Sequence, residues 1–185
     1  MDSYSTDNGA YLAILAATVI VTLIIVLAVY VISAIFLTKV FAKAGVSTPA
    51  VAWIPVYNSL ILAKLGDVNP WAYLIVLLGS SALSAIPVIG FIFALVPLVA
   101  FVLIAYRVNL KLGKDATLFT ILAVLVGLIW LGIVAFDKSR WSTAAAPLEG
   151  AAPVPAPFWS KYSFLVDTTT WGGVPYQGYP VVPAA

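Results

Sequence analysis

The chain has no cysteine and no histidine among its 185 residues. Disulfides, thiolate and imidazole metal ligands, covalent haem attachment and the commonest general base are excluded together. Charge is scarce as well: Asp, Glu, Lys and Arg make up 9% of the chain, and the net charge is +2. No polybasic run of the kind that tracks a phosphate backbone occurs, so nucleic acid is not an expected partner. A chain of 185 residues has room for one compact body and a tail, and not for a second soluble catalytic domain.

What remains is apolar. Hydrophobic residues make up 63% of the sequence, and the mean hydropathy is +1.11. The stretch Ala10 to Leu37 is uncharged and exceeds the roughly 20 residues that a membrane-crossing helix needs. Its leader, Asp2 to Gly9, has two acidic residues and no Lys or Arg, which fits a retained first helix and not a cleavable signal peptide. Beyond it, Lys39 and Lys43 share one helical face and suit anionic lipid headgroups. In Ala44 to Lys64, Pro49, Pro55 and Asn58 interrupt the apolar pattern. Pro55 to Lys64 amounts to roughly 14 Å of helix, about half a crossing. Residues 49–64 are therefore expected to form an interfacial or re-entrant segment. Trp53, Pro55 and Tyr57 shape its turn, and Asn58 caps or bridges it.

Val68 to Tyr106 is uncharged throughout and long enough for two helices. Pro87 and Gly90 break it, giving expected helices at about 71–86 and 88–106, the latter kinked at Pro97. A polar connector, Arg107 to Asp115, leads to a fourth helix at about 116–136, and Asp67 and Asp115 are expected as N-caps. The fold class predicted is all-α: a polytopic membrane bundle of four transmembrane helices in residues 1–140, with a Pro/aromatic-rich extended tail in 141–185. With the N-terminus outside, Lys39, Lys43, Lys64, Arg107, Lys111 and Lys114 fall on the cytoplasmic face, against Lys138 and Arg140 outside. The bias follows the positive-inside rule and places both termini on the outer face of the membrane. Lys39, Lys43, Arg107, Lys111 and Lys114 are then candidates for binding anionic lipid headgroups.

The tail resists folding by itself. Alternating Pro from Pro153 to Pro157 favours polyproline II geometry, and an isolated strand over Tyr162 to Val166 has no partner. Its aromatics, Phe158, Trp159, Tyr162, Phe164, Trp171, Tyr176 and Tyr179, are the residue types that anchor partner interfaces. The expectation is that this exported tail docks on other integral membrane subunits.

Four motifs carry a family resemblance. They are Ala52-Trp53-Ile54-Pro55-Val56-Tyr57-Asn58 with Leu62-Ala63-Lys64; Asn69-Pro70-Trp71-Ala72-Tyr73; Ile86-Pro87-Val88-Ile89-Gly90; and Asn109-Leu110-Lys111-Leu112-Gly113-Lys114. Over about residues 37 to 137 the chain resembles a family of small bacterial multi-helix membrane proteins whose domain has no assigned function. Gly90 and Leu112 depart from the family pattern. The resemblance implies a fold and a bacterial membrane, and no activity.

Nothing in the sequence makes a reaction centre. The interiors of the four expected crossings hold no Asp, Glu, Lys or Arg, the groups that proton relays and ion-coupled transport require. Each lysine lies at a segment end, where a solvated ammonium stays protonated and cannot activate a serine. Asn58 beside Pro55 could turn carbonyls toward a polar solute, but bridging the turn is the stronger reading. The expectation is a non-catalytic accessory subunit of a larger membrane complex, such as a bacterial respiratory or other energy-transducing assembly. The competing expectation is a small oligomeric channel or transporter component whose pore is shaped by Pro55, Asn58 and Pro87.

Overall fold

A computed structural model of the chain describes residues 3–87, 90–150, 153–166, 171–175 and 177. The described residues are all-helical, with six α-helices and no strand: α1 (Ser3–Lys43), α2 (Tyr57–Leu65), α3 (Pro70–Leu83), α4 (Gly90–Lys111), α5 (Ala116–Leu125) and α6 (Gly127–Phe136). Short 3-10 turns stand at Pro49–Trp53 and Phe158–Lys161.

From Ala10 to Lys43 no Gly or Pro interrupts α1, and the helix runs 41 residues, or roughly 60 Å at 1.5 Å per residue. It ends on a glycine. Gly45 takes φ +74°, its N–H reaches Ala42 O, and the Val46 N–H reaches Phe41 O, which is the paired bonding of a Schellman cap. The chain then turns back along α1 through Pro49–Trp53, where the Tyr30 hydroxyl donates to the Trp53 carbonyl at 2.6 Å. Asn58 bridges this turn, its amide donating to Ala52 O at 3.1 Å. Val56 closes the turn at φ +63°, a strained value for a β-branched residue.

Two helices, α1 and α4, are long and apolar enough to cross a membrane. The expectation of four crossings is corrected on two counts. First, α3 has 14 residues, or roughly 21 Å. Second, the segment 116–136 is not one helix. It breaks at Val126, with φ −142° and ψ 60°, into two pieces of 10 residues each. A continuous helix would separate its ends by about 30 Å. Instead the Asp137 carboxylate forms an ion pair with Lys114, so α6 returns to the level at which α5 began. Other boundaries shift too: α3 stops at Leu83, and α4 runs through Arg107 to Lys111, turning most of the expected connector into helix.

These returns gather the polar connections at one end of the molecule. Lys43 at the end of α1 bonds Val134 O, Asp137 O and the Asp137 carboxylate, each at 2.8 Å, which also satisfies carbonyls left open at the end of α6. Ser142 N reaches Lys111 O at 2.7 Å, so the chain leaving α6 crosses the end of α4. The buried core lies at this end and includes Phe41, Ile61, Leu65, Ile104, Val108, Trp130 and Val134. Close approach depends on two glycines: a Cβ at Gly66 would stand 2.8 Å from Ile104 Cα, and one at Gly132 would stand 3.3 Å from the Phe36 ring.

The tail also lies at this end. Asn69 N donates to Leu165 O at 2.7 Å, and Ser47 N to Gly173 O at 3.0 Å. Having the tail on the same face as the start of α1 is therefore corrected: the described tail packs where α1 finishes, roughly 60 Å of helix away. The tail builds no core of its own and joins that of the bundle. Val154, Trp159 and Val174 are buried, because bundle side chains supply the apolar surface that the tail lacks.

Candidate functional site

The most unusual chemistry in the molecule is a charge cluster beneath the tail. It begins with a helix cap. At the end of α2 the Asp67 N–H bonds Lys64 O and the Val68 N–H bonds Ala63 O, with Asp67 at φ +63°. The pattern repeats that at Gly45, and again that at Gly113, where φ is +65° and Lys114 N reaches Asn109 O. Two of the three caps place glycine at the left-handed position, where it carries no Cβ penalty. The third places an aspartate, which tolerates that conformation better than most residues. The exchange projects a carboxylate into the core.

Two cations meet it. Arg107 and Lys111, one helical turn apart on α4, face it together. Arg107 Nε donates to Asp67 Oδ2 at 2.7 Å, and Lys111 Nζ pairs with Asp67 Oδ1. The side chains of Asp67, Arg107 and Lys111 are 1%, 4% and 0% exposed, so removing one partner would strand charge in a dry interior. Lys64 is also buried at this end.

The remaining donor capacity goes to the chain itself. Lys111 Nζ donates to Leu65 O at 2.6 Å and Gln177 Oε1 at 2.9 Å, and it stands 5.7 Å from the centre of the Trp141 ring. Arg107 Nη1 donates to Pro155 O at 2.7 Å, and Trp159 Nε1 donates to Asp67 O at 2.9 Å. Among the described residues three from the tail thus contribute to the shell, and Asn69 adds a bond from its amide to Phe164 O at 2.9 Å. Asn69, not Asp67, is the N-cap of α3, its side chain accepting from Trp71 N at 3.0 Å. Asp115 caps α5, accepting from Leu118 N at 2.9 Å.

A second, shallower cluster surrounds Asp137, which pairs with Lys43 and Lys114 and accepts from Ser139. Burial pushes this carboxyl up, but the hydrogen bonds from Lys114, Lys43 and Ser139 together outweigh it and hold the group far below the usual carboxylate range.

The expected headgroup-binding set divides accordingly. Lys39 is exposed; Lys43 and Lys114 are engaged with Asp137; Arg107 and Lys111 point inward, a correction whose cause is the single acid between Asp7 and Asp115. The expected partner-docking tail also divides. Trp159 is buried, and Trp171 stacks against Tyr57 at 5.4 Å and Trp71 at 6.2 Å, on the chain's own surface. Phe158, Tyr162 and Phe164 remain exposed. Tyr176 and Tyr179 lie outside the described residues. Of the residues expected to shape a pore, Pro55 is exposed at the turn beside α1 and Pro87 is exposed in the turn after α3, while Asn58 is half-buried on its bond to Ala52.

The basic residues share one location. Lys39, Lys43, Lys64, Arg107, Lys111, Lys114, Lys138, Arg140 and Lys161 account for all 9 Lys and Arg of the chain. Each lies on or next to an element packed at this end, whereas the far end of α1 carries only Asp7, with Asp2 preceding it in sequence.

Residues 50–144, about half of the chain, match the family described as "Family of unknown function (DUF5684)". No curated protein and no solved structure matches the chain.

Proposed function

Starting from a chain that belongs to this DUF5684 family of unknown function, we propose a non-catalytic integral membrane protein of the bacterial plasma membrane. It associates with other membrane-embedded subunits through α1, while its own tail locks its basic end. The observation that carries this reading is the contrast along α1. From Tyr11 to Val29 its large apolar side chains are exposed, and none is buried by the chain itself. In lipid such a helix is stable, and it offers a packing surface to other helices. The basic end supports a structural role: its most deeply buried charges are ion-paired and hydrogen-bonded to backbone and tail.

In this reading the basic end faces the cytoplasm, since all 9 basic residues gather there. The N-terminus is outside and the tail is cytoplasmic. The α3–α4 hairpin enters and returns from that face, and the shorter α5–α6 hairpin reaches only part way.

The test exchanges the α1 segment 10–29 for a polyleucine span, which preserves insertion and removes specific side-chain contacts. Wild-type protein purified in mild detergent is expected to carry a stoichiometric membrane-protein partner, and the exchanged variant to lose it. A partner retained by the polyleucine variant, or wild-type protein isolated alone, would overturn the docking role. Cysteine labelling at position 161 is expected to require permeabilised cells; labelling of intact cells would overturn the orientation.

A further inference from the structure

We propose that the groove between α3 and α4, roofed by the tail, holds one acyl chain of a membrane phospholipid. The inference rests on the membrane reading above.

Ala72 and Val76 of α3 face Ala100 and Leu103 of α4 across an opening of about 200 Å³, closed from above by Trp159 and Leu165. Its walls are apolar. A second opening of about 290 Å³ adjoins it, sharing Leu103, Phe158 and Trp159, and ends against Tyr106, Arg107 and the Pro155–Pro157 backbone. Together they form a passage that is hydrocarbon-like for most of its length and polar at the end nearest the basic cluster.

That gradient selects the occupant. Water needs two to four polar partners to fill a cavity, and the apolar part offers none; an engineered cavity of about 150 Å³ with comparable walls stays dry and accepts a hydrocarbon. Beside the groove, Trp71, Ile75 and Leu78 form an exposed apolar stripe on α3, and Leu98 and Val99 are exposed on α4, so in a bilayer the nearest hydrocarbon is lipid. Arg107 is held by Asp67 and Pro155, so it adds a polar but already paired wall at this end, and the ester end of the lipid rests there. Because the roof is built from the tail, the site exists only while the tail is docked.

The experiment is native mass spectrometry of the full chain released from mild detergent, with thermal unfolding and carbonate washing of membranes as separate readouts. Wild-type protein is expected to retain one phospholipid. Ala100→Phe, which fills the groove, is expected to lose it with an unchanged or higher Tm, as filling a void predicts. Ala72→Leu repeats the test with a smaller intrusion, should Phe not be accommodated. Ile75→Phe, on the outward stripe, is expected to keep the lipid. Wild-type protein that resists carbonate washing yet carries no lipid, or a folded groove-filled variant that keeps it, would overturn the groove assignment alone. Wild-type protein washed from membranes by carbonate would overturn the membrane reading and the groove with it.

Discussion

The shaft of α1 and the basic end of the molecule are built from opposite materials. Along the shaft, Tyr11 to Val29, side chains are apolar and touch little of their own chain. At the basic end two acids are matched by cations: Asp67 against Arg107 and Lys111, Asp137 against Lys43 and Lys114. The comparison separates two sources of stability. The shaft depends on its solvent, since in hydrocarbon its backbone is satisfied within the helix and its side chains need no partner. The basic end depends on itself, because a charge withdrawn from water is tolerable only when paired and hydrogen-bonded.

Among single substitutions, the greatest loss of stability is expected at Asp67. Asp67→Asn keeps a residue suited to the left-handed cap and removes the charge, leaving Arg107 and Lys111 buried without their carboxylate. A loss of about 3–5 kcal/mol is expected, read as a fall in thermal midpoint in detergent. An unchanged midpoint would mean that the cluster does not hold the end together. Next, Trp159→Ala removes a buried indole and its bond to Asp67 O, with an expected cost of about 3–5 kcal/mol less any relaxation of the roof. Truncation after Arg140 should lower the midpoint at least as far while leaving α1 in the membrane fraction; a midpoint equal to that of the full chain would return the tail to the role of a free arm.

A smaller effect belongs to Asp137, whose carboxyl is held below its ordinary pKa when folded. A group depressed in this way stabilises the fold above its unfolded pKa of about 3.9, and that contribution fades as pH falls below this value toward the folded one. Unfolding midpoints measured from pH 6 down to pH 3 should therefore decline in the wild type, with a shallower slope in Asp137→Asn; parallel slopes would remove Asp137 from the account. The smallest change is expected on the shaft. Ile24→Ala should stay within about 0.5 kcal/mol, because the side chain touches little of its own chain. A larger effect on the isolated protein would show that the shaft packs against a second copy.

Where the chain could be read locally, the sequence sufficed. The uninterrupted apolar run of α1, the cap at Asp115, and the Pro-rich turn bridged by Asn58 each follow from residues within a few positions of one another. The reversal at Val126–Gly127 did not announce itself, since Leu125, Val126 and Leu128 continue the apolar pattern on both sides of the break. The charge cluster was legible only in part. Arg107 and Lys111 show helical spacing, and Asp67 is the sole acid between Asp7 and Asp115, which together point to a meeting. That Asp67 would occupy a position usually given to glycine, and that Pro155, Trp159 and Gln177 would join the shell, depends on contacts spanning 44 to 92 residues. The tail's composition stabilises nothing alone, and its partners lie in another part of the chain.

The position of Trp159 and Gln177 late in the sequence has a consequence for biogenesis. A ribosome delivers α4 well before it delivers the residues that finally enclose Lys111 and Arg107, so every nascent copy passes through a stage in which Asp67 is present and the tail's share of the shell is not. A copy halted in that interval holds two cations against one carboxylate, without Pro155, Trp159 or Gln177 around them.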